Sequence, residues 1–557
     1  MFFEGEKMPF EDLGLLFFTV LILSLLITPV SIRFAQYMGA IDHPVDRSVH
    51  STGMPRLGGL GMALALLLGL PLFVEINQIF MGFLSGLLII ILIGCIDDIW
   101  HMQPLIKMIG QIVACLVFLE ISGLSFSSLG NLFGLGELSF SAPVNYAITL
   151  FCMVGLVNAL NLSDGLDGLA AGSVAIACFF LGVLALVAQN WVGMALIAAL
   201  IGGVLGFLKF NSYPAKLFMG DSGSMMLGFS IACLTIILAG GDSGNIQPVT
   251  LSIVLGVPIV DTVWVMTRRV MQGKSPMYAD KTHLHHRLLA LGLPHALVVS
   301  LLYALMILFG ILALTVQAFP AYWQSVSGVS LAVLVYALLM ACEHKKVMVQ
   351  ISVSMMRDER EIRYDMTSRL GRSMKVFPFV ILSGLSLPLL VAQNIPAEMS
   401  WLALGLAVLV AVAFPWKEHR ENSSVVSGLF YLCTFAILFT WNHSSYGVFR
   451  LDIYEMGFAA ILFIWVALKI IFKRNNEIFL TSSLELLLIF ISWFVPYIVL
   501  PAVGVSEPVL NAAKFTCLEA IPLFVALKLI IKRQPDRNTL MAAALLLMLC
   551  FTAIRAI

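Results

Sequence analysis

The residues able to do chemistry are few, and they sit in short polar loops between long apolar runs. The densest loop carries Asn158, Asn161, Asp164 and Asp167 at threefold spacing, with Gly165 and Gly168 between and after the carboxylates. Asn and Asp are hard oxygen donors, suited to magnesium and to ribose or base edges. A later stretch, Phe218-Met219-Gly220-Asp221-Ser222-Gly223, offers Asp221 where another apolar run begins. It reads as a further hard ligand from a different helix, or as an ordinary capped helix start. Asp97 and Asp98 end the apolar run Leu87–Ile96. Charge there is costly without compensation, so the pair faces a cation or an acidic proton, unless it is simply a hydrated helix end. Lys107 and Gln111 are four apart and share a helix face that could hold a phosphate beside those carboxylates. His283, His285, His286 and Arg287 form the last group. Cysteine or carboxylate partners at zinc spacing are lacking, and Arg beside clustered imidazoles better suits an anion such as a pyrophosphate. Asp261 lies inside an apolar run, which points to function or to packing against neighbouring helices. The first loop, with Asp42, His43, Asp46, Arg47 and His50 ahead of Gly58-Gly59, reads as a juxtamembrane loop whose glycines permit close backbone approach.

The elements that hold these loops are set by composition. Of 557 residues, 60% are apolar and 11% charged, and net charge is zero; mean hydropathy is +0.98. Too little charge remains to cover a soluble surface. Continuous apolar runs exclude a β-barrel and leave helices, which satisfy their own backbone in lipid. Net neutrality gives no field for nucleic acid, and nine scattered cysteines without a CxxC suggest neither zinc nor a disulfide framework. The first run follows Glu4, Glu6, Glu11 and Asp12, so it reads as a span and not as a cleaved signal peptide. The chain is therefore expected to be an all-α polytopic membrane protein of about 18 transmembrane helices, the first 11 or so lying before residue 342. Residues 343–375 read as a solvated charged linker, and 376–557 as a membrane extension of about seven spans without a recognisable motif. With the N-terminus outside, all Lys and Arg except Lys7, Arg450, Lys514 and Arg555 fall on the inner side. Every chemistry-bearing loop is then cytoplasmic.

Taken together, the loops up to about residue 342 resemble the polyprenyl-phosphate N-acetylhexosamine-1-phosphate transferase family, glycosyltransferase family 4. Asn158–Leu169 and Phe218–Gly223 are its most specific pieces, and Asp280–Arg287 is similar to the WecA and teichoic-acid-initiator type. The resemblance implies a bacterial inner-membrane enzyme. It would transfer N-acetylhexosamine-1-phosphate, GlcNAc-1-phosphate above all, from a UDP-sugar to undecaprenyl phosphate. UMP would leave, and a cell-envelope polysaccharide such as O-antigen would be initiated. By the same resemblance Asn161 and Asp221 hold Mg2+, or Mn2+. Asp164, Asp167, Asn211 and Phe218 line the nucleoside side. His283, His285, His286 and Arg287 hold pyrophosphate and sugar, and Lys107 holds the lipid phosphate. Asp97 and Asp98 position or deprotonate the acceptor, by direct displacement or through a covalent Asp98 intermediate. A homodimer and downstream glycosyltransferases are the protein partners this allows. Two positions depart from the family pattern: His101 stands where Asp or Asn is usual, and Ser48 where Lys is usual. The rival expectation is a multi-span transporter of a polar or lipid-linked substrate, suggested by the intramembrane Asp261, Glu485 and Glu519; against it, the polar loops cluster on one face, whereas alternating access wants sites near the midplane.

Overall fold

The computed structural model describes residues 8–42, 53–240, 246–274 and 282–345. Beyond these it describes short stretches between 378 and 501, then 507–533 and 538–555. The described residues fall into two compact units, one up to 345 and one from 378. Expectations for His43, Asp46, Arg47, Ser48, His50, Asp280, Lys281, Glu485 and residues 346–377 lie outside them.

The first unit is a helical bundle. In order it comprises α1 (Phe10–Met38), a two-residue β1 (Ile41–Asp42), β2 (Met54–Pro55), α2 (Gly58–Phe73), α3 (Gln78–Trp100) and α4 (Pro104–Ser122). Then follow α5 (Ala142–Ser163), α6 (Leu169–Val187), α7 (Trp191–Asn211), α8 (Gly220–Gly240), α9 (Pro248–Val254) and α10 (Gly256–Met271). The unit ends with a short α11 (Leu284–Ala290), α12 (His295–Val316) and α13 (Ala321–Lys345). Local signals delimit these helices. Asn77 caps α3 by accepting from Phe80 N at 3.0 Å, and Asn190 caps α7 by accepting from Gly193 N at 2.8 Å. Pro104 occupies the first turn of α4, where its missing N–H costs nothing. His101 closes α3 in the left-handed region, φ 53°. Asn, Asp and His tolerate that region better than other side chains, so the departure from the family pattern keeps the helix stop.

The spans expected before residue 342, centred near 21, 66, 88, 113, 151, 177, 201, 228, 258, 307 and 332, each have their centre within a helix. Two differ from simple spans. α2 has only 16 residues. The span centred near 258 is broken: α9 and α10 meet at an 86° bend. Among the described residues nine helices are long and apolar enough to cross a membrane, or ten if the bent pair counts as one span. The expected total of about 18 is thus not reached among the described residues. α13 also runs to Lys345, past the point where a solvated linker was expected.

α8 and α6 are the most enclosed helices, whereas α1 and α13 turn residues such as Leu26, Val30, Val329 and Val333 outward, as lipid-facing helices do. α8 packs against α3 and α5, and α7 against α1 and α6. Helix–helix approach in lipid relies on small residues. In the second unit, α14 (Glu507–Arg533) and α15 (Asn538–Arg555) bury Leu523, Leu527, Leu545 and Leu549 in a common core with Ile381, Leu385 and Phe430.

Candidate active site

The alternation of the bundle brings the C-terminal ends of α3, α5 and α7 together with the N-terminal ends of α4 and α8. The sequence motifs sit on these ends. Lys107, on the first turn of α4, donates to Asp221 Oδ1 of α8 and lies 3.0 Å from Asp97 Oδ2 of α3. Asn161, at the end of α5, donates its Nδ2 to the same Asp221 oxygen at 2.7 Å and to Ser224 Oγ at 2.7 Å. Two helices therefore reach the Asp221 carboxylate of α8, and a third, α3, reaches Lys107 through Asp97. Asp97 is itself held, its Oδ1 accepting from Met102 N at 2.6 Å.

Asp98 plays a different part. It is 2% exposed, and its two oxygens accept from Asp221 N at 2.7 Å and Ser222 N at 3.0 Å. It caps the start of α8 from a neighbouring helix and satisfies N–H groups that have no partner within their own helix. Adjacent carboxylates thus divide the work: Asp97 engages Lys107, and Asp98 sets where Asp221 stands. Gln111 does not share a phosphate face with Lys107. It is fully buried, accepting from Asn158 Nδ2 at 2.7 Å and donating to Met225 Sδ at 3.2 Å.

The loops carrying Asp167, Asn211 and Phe218 are stitched to each other. Asp167 Oδ2 accepts from Ala215 N at 2.9 Å. Asn211, 3% exposed, accepts from Gly168 N at 2.9 Å and donates to Leu217 O at 3.0 Å. Both ends of its amide are committed to this chain's backbone. Phe218 is half-buried, and its backbone pairs with Pro55 O at 2.8 Å and Gly58 N at 3.1 Å. Asp164 follows the last turn of α5. Burial, then the charges of Asp221, Asp98 and Asp167, push its carboxyl up to about 7.

The histidine segment docks on the same loops. A Cβ on Gly165 would stand 2.1 Å from His285 Nε2, so the imidazole rests on bare backbone. Burial and the neighbouring His286 drop His285 to about 3, which keeps its ring neutral. His285 and His286 rings lie 4.2 Å apart. Arg287 is committed elsewhere. Its Nε and Nη2 donate to the two oxygens of Glu343 at 2.8 and 2.7 Å. Those bonds hold the guanidinium in its charged form, its pKa raised. Glu343, expected in a solvated linker, instead closes α13 against this segment. Nothing in the sequence signals a pair 56 residues apart. Ser224, one residue past the Phe218–Gly223 stretch, escaped identification, and Asn158 was noted in its loop without a role.

The transporter expectation rested on intramembrane carboxylates. Asp261 is occupied by His283, Leu284 and Tyr336. Glu519 accepts from Asn442 Nδ2 at 3.2 Å within the second unit.

The comparisons with known proteins fall on the same helices. The profile of glycosyl transferase family 4 matches residues 80–239, which is α3 through α8. A probable undecaprenyl-phosphate N-acetylglucosaminyl 1-phosphate transferase of Bacillus subtilis is 37% identical over 320 residues, covering 56% of this chain and 86% of the relative. A decaprenyl-phosphate N-acetylglucosaminephosphotransferase of Mycobacterium leprae is 35% identical, over 54% of this chain and 83% of the relative. An undecaprenyl-phosphate alpha-N-acetylglucosaminyl 1-phosphate transferase of Yersinia pestis is 27% identical, over 55% and 86%. Such identity across most of a relative's length, with the family profile lying on the helices that join Asp97, Lys107, Asn161 and Asp221, means that this chain belongs to glycosyl transferase family 4.

Proposed function

We propose that the first unit transfers N-acetylglucosamine-1-phosphate from a UDP-sugar to undecaprenyl phosphate at the cytoplasmic membrane face of a bacterium. The observation that carries this is the convergence of Lys107, Asp97, Asn161 and Asp221 from four helices at one end of the bundle. Relatives that transfer the same group to polyprenyl phosphates support it. Two anions must meet in this reaction, so their charge has to be offset and the nucleophile held in line.

A divalent cation fits the donor set. Asp221 brings a hard carboxylate, and the Asn161 amide stands beside it with Nδ2 2.7 Å from Asp221 Oδ1; magnesium commonly takes one or two protein carboxylates and completes its shell with water and substrate phosphates. When bound, the ion would neutralise the donor diphosphate.

The chain's own residues do the rest. Lys107, oriented by Asp97, receives the lipid phosphate. An oxygen of that phosphate attacks the β-phosphorus, the bond to the α-phosphate bridging oxygen breaks, and UMP carries away the electron pair. A phosphate monoester has already lost most of its second proton at neutral pH, so a strong base is not required. Asp98, committed to capping α8, positions Asp221. The histidine segment, seated on Gly165, closes over the sugar-diphosphate.

The test incubates membranes containing the protein with radiolabelled UDP-sugars and polyprenyl phosphate. Label from UDP-N-acetylglucosamine is expected in the lipid phase, with one UMP per sugar and no UMP when acceptor is omitted. Label that stays aqueous for every UDP-sugar defeats the proposal; a UMP burst without acceptor replaces direct displacement with a covalent intermediate. Gly165→Ala should lower this transfer by about 10²-fold, because its Cβ displaces His285 and small misplacements cost that much. The melting temperature of the solubilised variant should barely move, and an unchanged rate removes the histidine segment from the site.

A further inference from the structure

We infer that Asp261 is a positioning residue for this reaction, locking His283 in the ring form protonated at Nδ1 so that Nε2 meets the sugar-nucleotide; this rests on the transfer proposed above. Asp261 lies on α10, 5% exposed. Its Oδ1 accepts from Leu284 N at 2.9 Å and from Tyr336 Oη–H at 3.0 Å. Its Oδ2 lies 2.9 Å from His283 Nδ1. A backbone N–H can only donate and an ionised carboxylate can only accept. The geometry therefore assigns the proton of this pair to Nδ1, and one carboxylate sets both the path of the chain at Leu284 and the tautomer of His283.

The other face of the ring is the second observation. His283 Nε2 is buried and finds no hydrogen-bond partner among the described residues, and the same holds for His285 Nε2. The two rings are nearly parallel, 9° apart in plane and 6.0 Å between centroids. Buried polar atoms are nearly always satisfied, so a pair of orphaned ring nitrogens beside the Asp164 loop marks a place for a ligand's polar groups. Orienting partners of this kind commonly fix which imidazole nitrogen is presented. The charged and titratable groups near His283 are Asp261 on α10, His285, His286 and Arg287 on α11, and Tyr336 and Glu343 on α13. Arg287 is paired with Glu343 and stands 5.7 Å from the Tyr336 ring centroid. Among the described residues Nδ1 bonds Asp261.

Asp261→Asn separates this lock from packing. Leu284 N–H would claim the amide oxygen, so the amide NH2 would face His283 and force its neutral ring to carry the proton on Nε2. The experiment records nitrogen NMR of the full chain with 15N-labelled histidine in detergent micelles, His283 being assigned by its loss in His283→Gln. It pairs this with pH–rate profiles of transfer. The wild type should show the neutral His283 ring protonated at Nδ1, and Asp261→Asn should show it at Nε2. The variant's kcat should fall about 10²-fold, with KM for the UDP-sugar changing far less and one limb of the pH–rate profile flattened. Tyr336→Phe should keep the wild-type tautomer and pH limb and lose less than about tenfold. A tautomer unchanged in Asp261→Asn overturns the inference, as do equal losses in the two variants with both rings in the wild-type form. Should Asp261→Asn not fold, the wild-type spectrum decides, since an Nε2-protonated neutral ring overturns the lock. If the wild type transfers nothing while the tautomer switches as expected, the proposed reaction fails and the lock stands.

Discussion

Asp221→Asn is expected to cut transfer by about 10³-fold or more, the scale of losing a preorganised electrostatic group in an active site. Asp221 Oδ1 receives both Lys107 Nζ and Asn161 Nδ2, two donors on one atom. An amide oxygen could still accept both donors, but it carries no negative charge to set against the Lys107 ammonium or a divalent ion. The site also loses the carboxylate to which Lys107 and Asn161 both donate, so any divalent ion is held less tightly. Transfer measured against magnesium concentration should show the variant needing far more ion to reach a lower plateau. Membrane insertion and elution volume in detergent should match the wild type, because α8 keeps its cap from Asp98. A variant with the wild-type rate and ion requirement defeats the metal assignment.

Gly59→Ala is expected to destabilise the solubilised protein by about 3 kcal/mol or more, the upper range for overpacking. The added Cβ would stand 2.0 Å from Gly223 N and 2.1 Å from Gly223 Cα, both backbone atoms that cannot swing aside. α2 and α8 approach through bare backbone here, and Gly59 N donates to Met219 O at 2.9 Å just before Asp221. Prising the helices apart would also displace Asp221, so transfer should fall with stability. Gly155→Ala is the control: nothing lies within 4 Å of its Cβ position, and Ala is the better helix former by about 1 kcal/mol. Thermal unfolding in one detergent compares the two. Equal melting temperatures for wild type and Gly59→Ala would show that the helices separate without cost.

Much of this was legible in the linear chain because lipid leaves few choices. A run such as Leu87–Ile96 can only be helix, and Lys and Arg placement repeats down the chain. The break between α9 and α10 was not legible. Val254-Leu255-Gly256 reads as continuous apolar sequence, and apolarity does not report a bend of 86°. Residue types at the site were legible in the same way. Asn161 and Asp221 are scarce polar groups at the ends of apolar runs, where charge without a use is costly.

The division of labour among those residues was not. Asp97 and Asp98 are identical side chains one residue apart, yet a helix turns successive residues by about 100°. One therefore meets Lys107 and the other the backbone of α8. Asn211 and Gln111 look like ligands in the chain but spend their amides inside the bundle. Glu343 looks like solvated charge but grips Arg287. By itself the sequence determined the helical, membrane-spanning character up to residue 345 and the shared end of the motif loops, since these follow from hydropathy and side-chain chemistry residue by residue. Only the tertiary structure decided which of those polar groups are spent on one another and which remain for a ligand. A hydrogen bond depends on two partners meeting in space, and partners 114 residues apart, like Lys107 and Asp221, meet only when the helices pack.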